Sequence, residues 1–573
     1  MSSNYKMLPK EHWFFGAILR NKRLYTQVIL ASVFINVFAL VSAFYIMTVY
    51  DKVIPNEAME SLVALTIGIV IVMAFDFILK IMRGLFTDHA GVQIDQEVSN
   101  LLFERLAKND NVAGQKPTGA MAAIVKEFDS VKDFLGSASF IVFADLPFVF
   151  LFLFVLYSIG GPIAAVPAII VIVTILIALL VQPIIKRLMA NAAKDGQSKQ
   201  AVLVEMLNSL ETLKTLPGIG LLQDRWADSV ERQGKVSLKS RFWSQLTSNF
   251  CQLGQQMSQV GIVVYGVVLI SAGDLTMGSL IACVILSGRV LAPMAQLTGL
   301  LGRLNQSLTS YHNLNELMQE PVRENKRQEQ IRRPEITGDI NFENACFRYP
   351  DQKQDTLTLI NLAIKAGEKV AILGRIGSGK TSLLRLLTGI YEPTQGSVKI
   401  DQTEVNHLHP DDLRKGLGVV MQKPMLFSGT VKENILLGNP DATDEQIVAA
   451  AQQAGAADFI SKLPDGYETI LTERGQQLSG GQQQALSIAR ALVSDPSVIV
   501  MDEPTSAMDN ATEQELVTRL KTDLADKTVI LITHRGNLLS LVDRVIIVDS
   551  GRIMADGPKA EVLNTITRKE VAA

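Results

Sequence analysis

The chain is poor in cysteine, tryptophan and histidine, with three, three and six among 573 residues. Cys251, Cys283 and Cys346 lie far apart and without metal-ligand spacing, which argues against a disulfide framework or a zinc site and leaves them as packing residues in a reducing compartment. Charge is also scarce. Only 19% of residues are charged and the net charge is -3, so the totals give no support for a nucleic-acid partner. The first apolar run starts near Val28 and lacks an A-x-A-like cleavage site, so no cleavable signal peptide is apparent and the run reads as a first spanning helix.

What is plentiful is apolar surface: 48% of residues are hydrophobic and the mean hydropathy is +0.23, more than a soluble chain carries. Six runs are long enough to cross a bilayer, at about 28–50, 61–79, 139–158, 162–182, 256–272 and 276–297. Residues 1–24 are polar and carry Lys6, Lys10, Arg20, Lys22 and Arg23, which places this end in the cytoplasm, and an even count returns the chain there. The short connections at 51–60, 159–161 and 273–275 hold only Lys52 as a cation, whereas the opposite ends hold Lys80, Arg83, Lys186 and Arg187.

Between the second and third runs, and between the fourth and fifth, about 55 to 75 mostly polar residues keep a helical period, as long helices leaving the membrane would. They are expected to turn at Gly114–Gly119 and Thr215–Gly220 and to carry motion to a cytoplasmic motor. Asp76, Asp145 and Arg289 fall within or at the ends of apolar runs, as a polar path lining or as charge pairs. Pro147 and Pro293 are expected to kink their helices.

Residues 25–318 thus form a membrane domain, 319–337 a charged, proline-interrupted linker, and 338–573 a domain of alternating strand and helix segments. In that last domain VAILGRIGSGKTSLLRLL spans Val370–Leu387, with Gly374, Gly379, Lys380 and Thr381 in the G-x-x-x-x-G-K-[ST] pattern. Backbone N–H groups through Gly377 and Ser378 and a helix N-terminus with Ser382 would face phosphates, and Lys380 would reach the β/γ oxygens. Thr381 would ligate Mg²⁺. The strand VIVMDE, Val498–Glu503, ends in two carboxylates, Asp502 for Mg²⁺ and Glu503 as general base for an attacking water. LSGGQ at Leu478–Gln482 puts Ser479, Gly480, Gly481 and Gln482 at a second helix N-terminus. One nucleotide hardly needs two such ends from one domain, so the second is expected to serve a nucleotide held by another copy of the chain.

These motifs, after six spans, resemble the ATP-binding cassette exporters, specifically a half-transporter. The resemblance implies a six-helix transmembrane bundle with long cytoplasmic extensions, then an α/β P-loop nucleotide-binding domain with a helical subdomain. It further implies that Tyr349 stacks on adenine, Gln422 senses Mg²⁺ and contacts the membrane domain, Asp509 crosses the dimer and His534 contacts the γ-phosphate. Thr472–Gly475 is similar to the coupling loop before the signature.

GRIGSGKT, SAMDN, FYIMTVYDKVIPNEAMESL and ILSGRVLAPMAQL narrow the resemblance to type I secretion exporters of RTX-type proteins. That implies an ATP- and Mg²⁺-dependent homodimer in the bacterial inner membrane, working with a periplasmic adaptor, an outer-membrane channel and a secreted protein; the alternative is an exporter of lipid, drug or peptide. The 24 leading residues are too few for the peptidase-like domain such relatives often carry. Lys423 and Gln483 stand where acidic and arginine residues are usual.

Overall fold

The computed structural model describes residues 12–107, 118–135, 138–319, 330–350 and 352–564. The chain divides into two units, Met1–Glu320 and Pro321–Ala573.

The first unit is helical. Its principal helices are α1 (Lys22–Thr48), α2 (Met59–Ala107), α3 (Ala138–Asp145), α4 (Phe148–Gly160), α5 (Ala165–Asn208), α6 (Ile219–Ala272) and α7 (Met277–Gln319). Among the described residues, five helical stretches are long and apolar enough to cross a membrane; one of them, Phe140–Asn208, holds most of the runs at 139–158 and 162–182, which meet at the turn Gly161–Ala164. Large apolar side chains point outward here, Phe150 at 76% exposure and Ile172 at 66%, as suits a lipid solvent. Where helices meet, buried hydroxyls bond back to the preceding turn, Thr87 to Arg83 O at 2.8 Å and Thr247 to Trp243 O at 2.9 Å.

Pro147, without an N–H, separates α3 from α4, whereas α5 and α7 run on through Pro183 and Pro293. The proline expected to kink the last spanning helix, Pro293, thus lies inside a continuous helix, as a spanning helix can re-satisfy one freed carbonyl locally. Asp145 accepts from Arg83 Nη1 at 3.1 Å and from Asn36 Nδ2 at 3.0 Å, while Arg83 Nη1 also reaches Ser32 Oγ at 3.0 Å. Asp76 pairs with Lys80 one turn later at 2.6 Å, and Arg289 is exposed. Asp51, inside the π-helical turn Val49–Val53, accepts from Thr276 Oγ1 at 2.6 Å and Gly278 N at 2.8 Å, and so ties the end of α1 to the start of α7.

Three expectations shift. Of the polar N-terminal segment, Trp13 and Phe14 are buried, and Trp13 Nε1 donates to Asn315 Oδ1 at 3.1 Å on α7. Of the expected turn at Gly114–Gly119, residues 114–117 lie outside the described residues. Gly119 instead sits inside a helix, Thr118–Lys126, where a Cβ would come within 2.9 Å of Ala201 Cα on α5. The second turn, at Leu216–Gly218, separates the helix Leu210–Thr215 from α6. Of the linker, 320–329 lie outside the described residues, while the stretch from Gln330 is bound to the second unit. Ile331 N donates to His407 O at 2.7 Å, Arg332 pairs with Asp412 at 2.9 Å and Ile336 is buried. Its charges hold it down rather than keeping it free.

The second unit contains β1 (Ile340–Phe347), β2 (Leu357–Ile364), β3 (Lys369–Leu373), β4 (Gln395–Ile400), β5 (Thr403–Glu404), β6 (Leu417–Val420), β7 (Gly429–Thr430), β8 (Ile470–Leu471), β9 (Val498–Asp502), β10 (Thr528–Ile532), β11 (Arg544–Asp549) and β12 (Arg552–Pro558). The helices that matter to the site are α8 (Lys380–Leu387), α9 (Gly480–Leu492) and α10 (Asn510–Asp523). A six-stranded sheet runs β12-β11-β3-β10-β9-β6, parallel except for β12, beside an antiparallel sheet β2-β1-β4-β5.

Strand periodicity explains the layering. Val498, Val500, Ile530, Ile532, Val370 and Ile372 face one core with β1, β2 and α8, while Ile499, Met501, Val529, Leu531 and Ala371 face another with α9 and α10. A sheet covered on both faces needs continuous apolar strands, and every residue of β9 and β10 is buried. Asp401 closes the boundary: it accepts from Thr337 N at 2.7 Å, Gly338 N at 3.0 Å and Asp339 N at 2.9 Å, anchoring the entry to β1.

Candidate nucleotide site

The site grows from the end of β3. A Cβ on Gly374 would lie 2.0 Å from Val548 O, and Gly379, the N-cap of α8, has φ +102 and would carry a Cβ 2.7 Å from Leu357 Cδ2. Only glycine lets the loop pass this close to β11 and β2. Ser378 Oγ is buried without a hydrogen-bond partner among the described residues, an acceptor and donor left for a ligand in the loop. Lys380 is 9% exposed, and its Nζ donates to Gly374 O at 2.6 Å and Arg375 O at 2.9 Å. Burial pushes its pKa down, against the pull of the Asp502 and Glu503 carboxylates.

Four adjacent parallel strands bring the remaining groups to the same edge. Thr381 Oγ1 donates to Asp502 Oδ2 at 2.9 Å at the end of β9. Glu503 follows with φ +48, a left-handed backbone at a non-glycine residue, stabilised by its N–H donating to Ile532 O at 2.8 Å on β10. His534, just past β10, places Nε2 3.7 Å from Glu503 Oε1, an oxygen that is buried and accepts no hydrogen bond among the described residues. Burial raises the pKa of both Asp502 and Glu503 above the usual carboxylate range. Gln422 is exposed in the turn after β6, the strand paired with β9. Thus Gly374–Thr381, Gln422, Asp502, Glu503 and His534, far apart in sequence, share one edge because β6, β9, β10 and β3 are neighbours.

Tyr349 is half-buried beside α8. Its hydroxyl is 3.0 Å from Ser382 Oγ and accepts from Arg385 at 2.9 Å, and its ring meets Phe347 and Tyr391 edge-on.

The signature lies elsewhere in the unit. Ser479 caps α9 in a reciprocal box with Gln482: Gln482 N donates to Ser479 Oγ at 3.3 Å and Ser479 N to Gln482 Oε1 at 2.9 Å. A Cβ on Gly480 would stand 2.9 Å from Ala507 Cβ, so the glycines pack against the turn that follows Glu503. Asp509 caps α10, accepting from Thr512 N at 2.8 Å, and these hydrogen bonds hold its carboxyl below the usual range. Gln483, where arginine is usual, donates to Gly475 O at 2.9 Å and so ties α9 to the Thr472–Gly475 loop.

Sequence reasoning passed over Gln484, Arg490, Glu513 and Arg535. Arg490 donates to Met425 O and Asn434 O, both at 2.8 Å, and Arg535 pairs with the buried Glu513 at 2.6 Å. No motif carries them; burial of a charged or amide side chain is their only mark.

Residues 357–506 match the family described as ABC transporter, and residues 26–294 match its transmembrane region. Over 556 residues, 96% of this chain and 78% of each relative, the chain is 33% identical to proteins called leukotoxin translocation ATP-binding protein LktB from Pasteurella haemolytica-like sp. (strain 5943B), Mannheimia haemolytica and Bibersteinia trehalosi. The chain belongs to the ABC transporter family. This ABC transporter has the exporter fold: it resembles a bacterial Atm1-family ABC exporter solved with ATP bound, with a TM-score of 0.85 and 24% identity, covering 95% of this chain and 96% of that one. It is a membrane protein that couples ATP hydrolysis to transport.

Proposed function

We propose that this exporter works as a homodimer holding two ATP molecules, each between Gly374–Thr381 of one copy and Ser479–Gln482 of the other, and that it moves a large unfolded protein out of a bacterial cell. One observation carries the dimer. Lys380, Asp502, Glu503 and His534 converge on one sheet edge, whereas among the described residues no hydrogen bond joins Ser479–Gln482 to the phosphate loop of the same chain.

In this reading Gly374, Gly377, Ser378, Gly379 and Ser382 cradle the phosphates, Lys380 leaves its two carbonyl partners to hold the β/γ oxygens, and Tyr349 carries the adenine. The Thr381 and Asp502 oxygens, 2.9 Å apart, are a hard donor set that fits Mg²⁺, and Gln422, in the turn after the strand paired with β9, is the third residue assigned to it. When bound there, the ion neutralises phosphate charge. Glu503 takes the proton of the attacking water; an unpartnered oxygen and a raised pKa suit it as a base near neutrality. His534 orients that carboxylate and reaches the γ-phosphate, and Asp509 crosses to the second copy.

The six runs within residues 25–318 span the inner membrane, with both termini in the cytoplasm. Leukotoxin translocation in the names of the relatives, together with the stretches around Asp51 and Arg289, supports protein export through a periplasmic adaptor and an outer-membrane channel.

The test has two parts. Glu503→Gln should trap an ATP-dependent dimer and lose steady-state turnover; wild-type turnover would remove Glu503 as the base. A strain lacking this gene should lose a large protein from its medium. An unchanged secreted set with altered membrane lipid would overturn protein export.

A further inference from the structure

The turn from Glu503 to Asp509 belongs to no strand or helix, yet it is gripped from two sides. On one side Gln484, in the first turns of α9 and 2% exposed, donates from Nε2 to Ser506 Oγ at 2.6 Å and to Glu503 O at 3.5 Å, and accepts at Oε1 from Ala507 N at 2.9 Å. On the other side Arg535, the residue after His534, donates to Met508 O and Ser506 O, both at 3.1 Å, and pairs with Glu513, which also accepts from Thr505 Oγ1 at 2.9 Å. Gly480 and Gly481 lie directly against Ala507, so the signature cannot shift without pressing on the same turn. An amide that uses both its donor and its acceptor on one short turn acts as a strut, because moving either end leaves a buried polar group unpaired.

We infer that Gln484 is a positioning residue that couples the two ATP sites. It fixes the turn bearing Glu503 of its own site to the helix whose N-terminus serves the partner's nucleotide. This rests on the two-copy site proposed above. Closure of Ser479–Gln482 on the partner's ATP then sets the backbone of Glu503, and through it the aim of its carboxylate at the local ATP. Coupling of this kind is a free energy between sites and shows as cooperativity in ATP, with a Hill coefficient of at most about two for two sites.

The experiment uses the purified full-length protein in lipid nanodiscs and measures ATP hydrolysis against ATP concentration. Gln484→Leu should lower kcat about tenfold with KM held within about threefold, and bring the Hill coefficient from near two to near one. Ser506→Ala, which removes only the hydroxyl partner, should move both readings in the same direction by a smaller factor. The double variant should add little to Gln484→Leu, because both changes break one strut.

A Gln484→Leu protein that keeps wild-type kcat and cooperativity overturns the inference, as does a loss confined to KM. If Gln484→Leu fails to fold, Ser506→Ala decides alone, and unchanged cooperativity in it overturns the inference. Failure of the two-copy reading is seen separately: Glu503→Gln would then form no ATP-dependent dimer by mass photometry, whatever happens at Gln484.

Discussion

The two units bury polar groups in opposite ways. In the helical unit the buried polar side chains among the described residues are Ser, Thr and Asn, while in the nucleotide unit they include Lys380, Asp401, Asp412, Asp502 and Glu513. Apolar side chains are reversed as well: Phe150 and Ile172 face outward in the first unit, whereas β9 and β10 are wholly buried in the second. The contrast follows from solvent. A lipid-facing bundle gains little by hiding Leu or Phe and pays heavily for charge, so it joins helices through small hydroxyls and one or two neutralised pairs. A water-facing domain hides its apolar strands and can place charges inside, where a low dielectric strengthens them for chemistry.

The sharpest way to break the comparison is to remove a charge that the nucleotide unit keeps buried. Lys380→Ala should lower ATP turnover about 10²- to 10³-fold, as removal of a preorganised group aimed at developing charge does, with the melting of the helical unit unchanged; phosphate-release assays and calorimetry would check this. Asp401 comes next. Asp401→Ala takes the acceptor from three N–H groups, that of Gly338 buried and those of Thr337 and Asp339 partly so, and puts alanine at φ +49, for a loss of about 3 kcal/mol in the nucleotide unit. Burial alone would raise the Asp401 pKa, but the donors from Thr337, Asp339 and Gly338 outweigh it and the folded value lies below the unfolded one. Its stabilisation is therefore present at neutral pH and lost as pH falls through the folded value, so the Tm gap between wild type and variant should narrow on acidification.

Smaller effects probe the helical unit. Arg83→Leu strands Asp145 between α1, α2 and α3 and should cost about 2 kcal/mol, less than a fully buried pair because both partners keep some exposure. Replacing both by leucine should recover most of that loss in detergent melts. Asp51→Ala removes the cap that ties α1 to α7 and should cost about 1 kcal/mol. Turnover adds a pH signature. Glu503 must be ionised to accept a proton, so the acid limb of kcat should lie above the ordinary 4.5 of a glutamate; a limb at or below 4.5 would show that burial does not tune the base.

Contiguous chemistry was legible from the start. Gly374–Thr381, Val498–Glu503 and Leu478–Gln482 are each a strand or turn with its functional residues side by side, and the apolar runs announce themselves by length. What was not legible depends on partners distant in the chain. Nothing near Asp145 announces Arg83, 62 residues away, and nothing near Asp401 announces Thr337. Gln484 reads as one more glutamine in QQQ until its amide is found between Ser506 and Ala507. The linker misled for a related reason: charge and proline signal exposure only when no partner waits, and Asp412 waits for Arg332.

The sequence by itself determined the two solvents of this protein, the order of its units and the glycine turn for phosphate, because hydropathy and local backbone demands are properties of consecutive residues. Only the tertiary structure decided which ends meet. Strand order set His534 beside Glu503, helix packing set Arg83 on Asp145, and the approach of α9 to the 503–509 turn made Gln484 a strut. Such meetings depend on register and topology, which no local stretch of chain encodes.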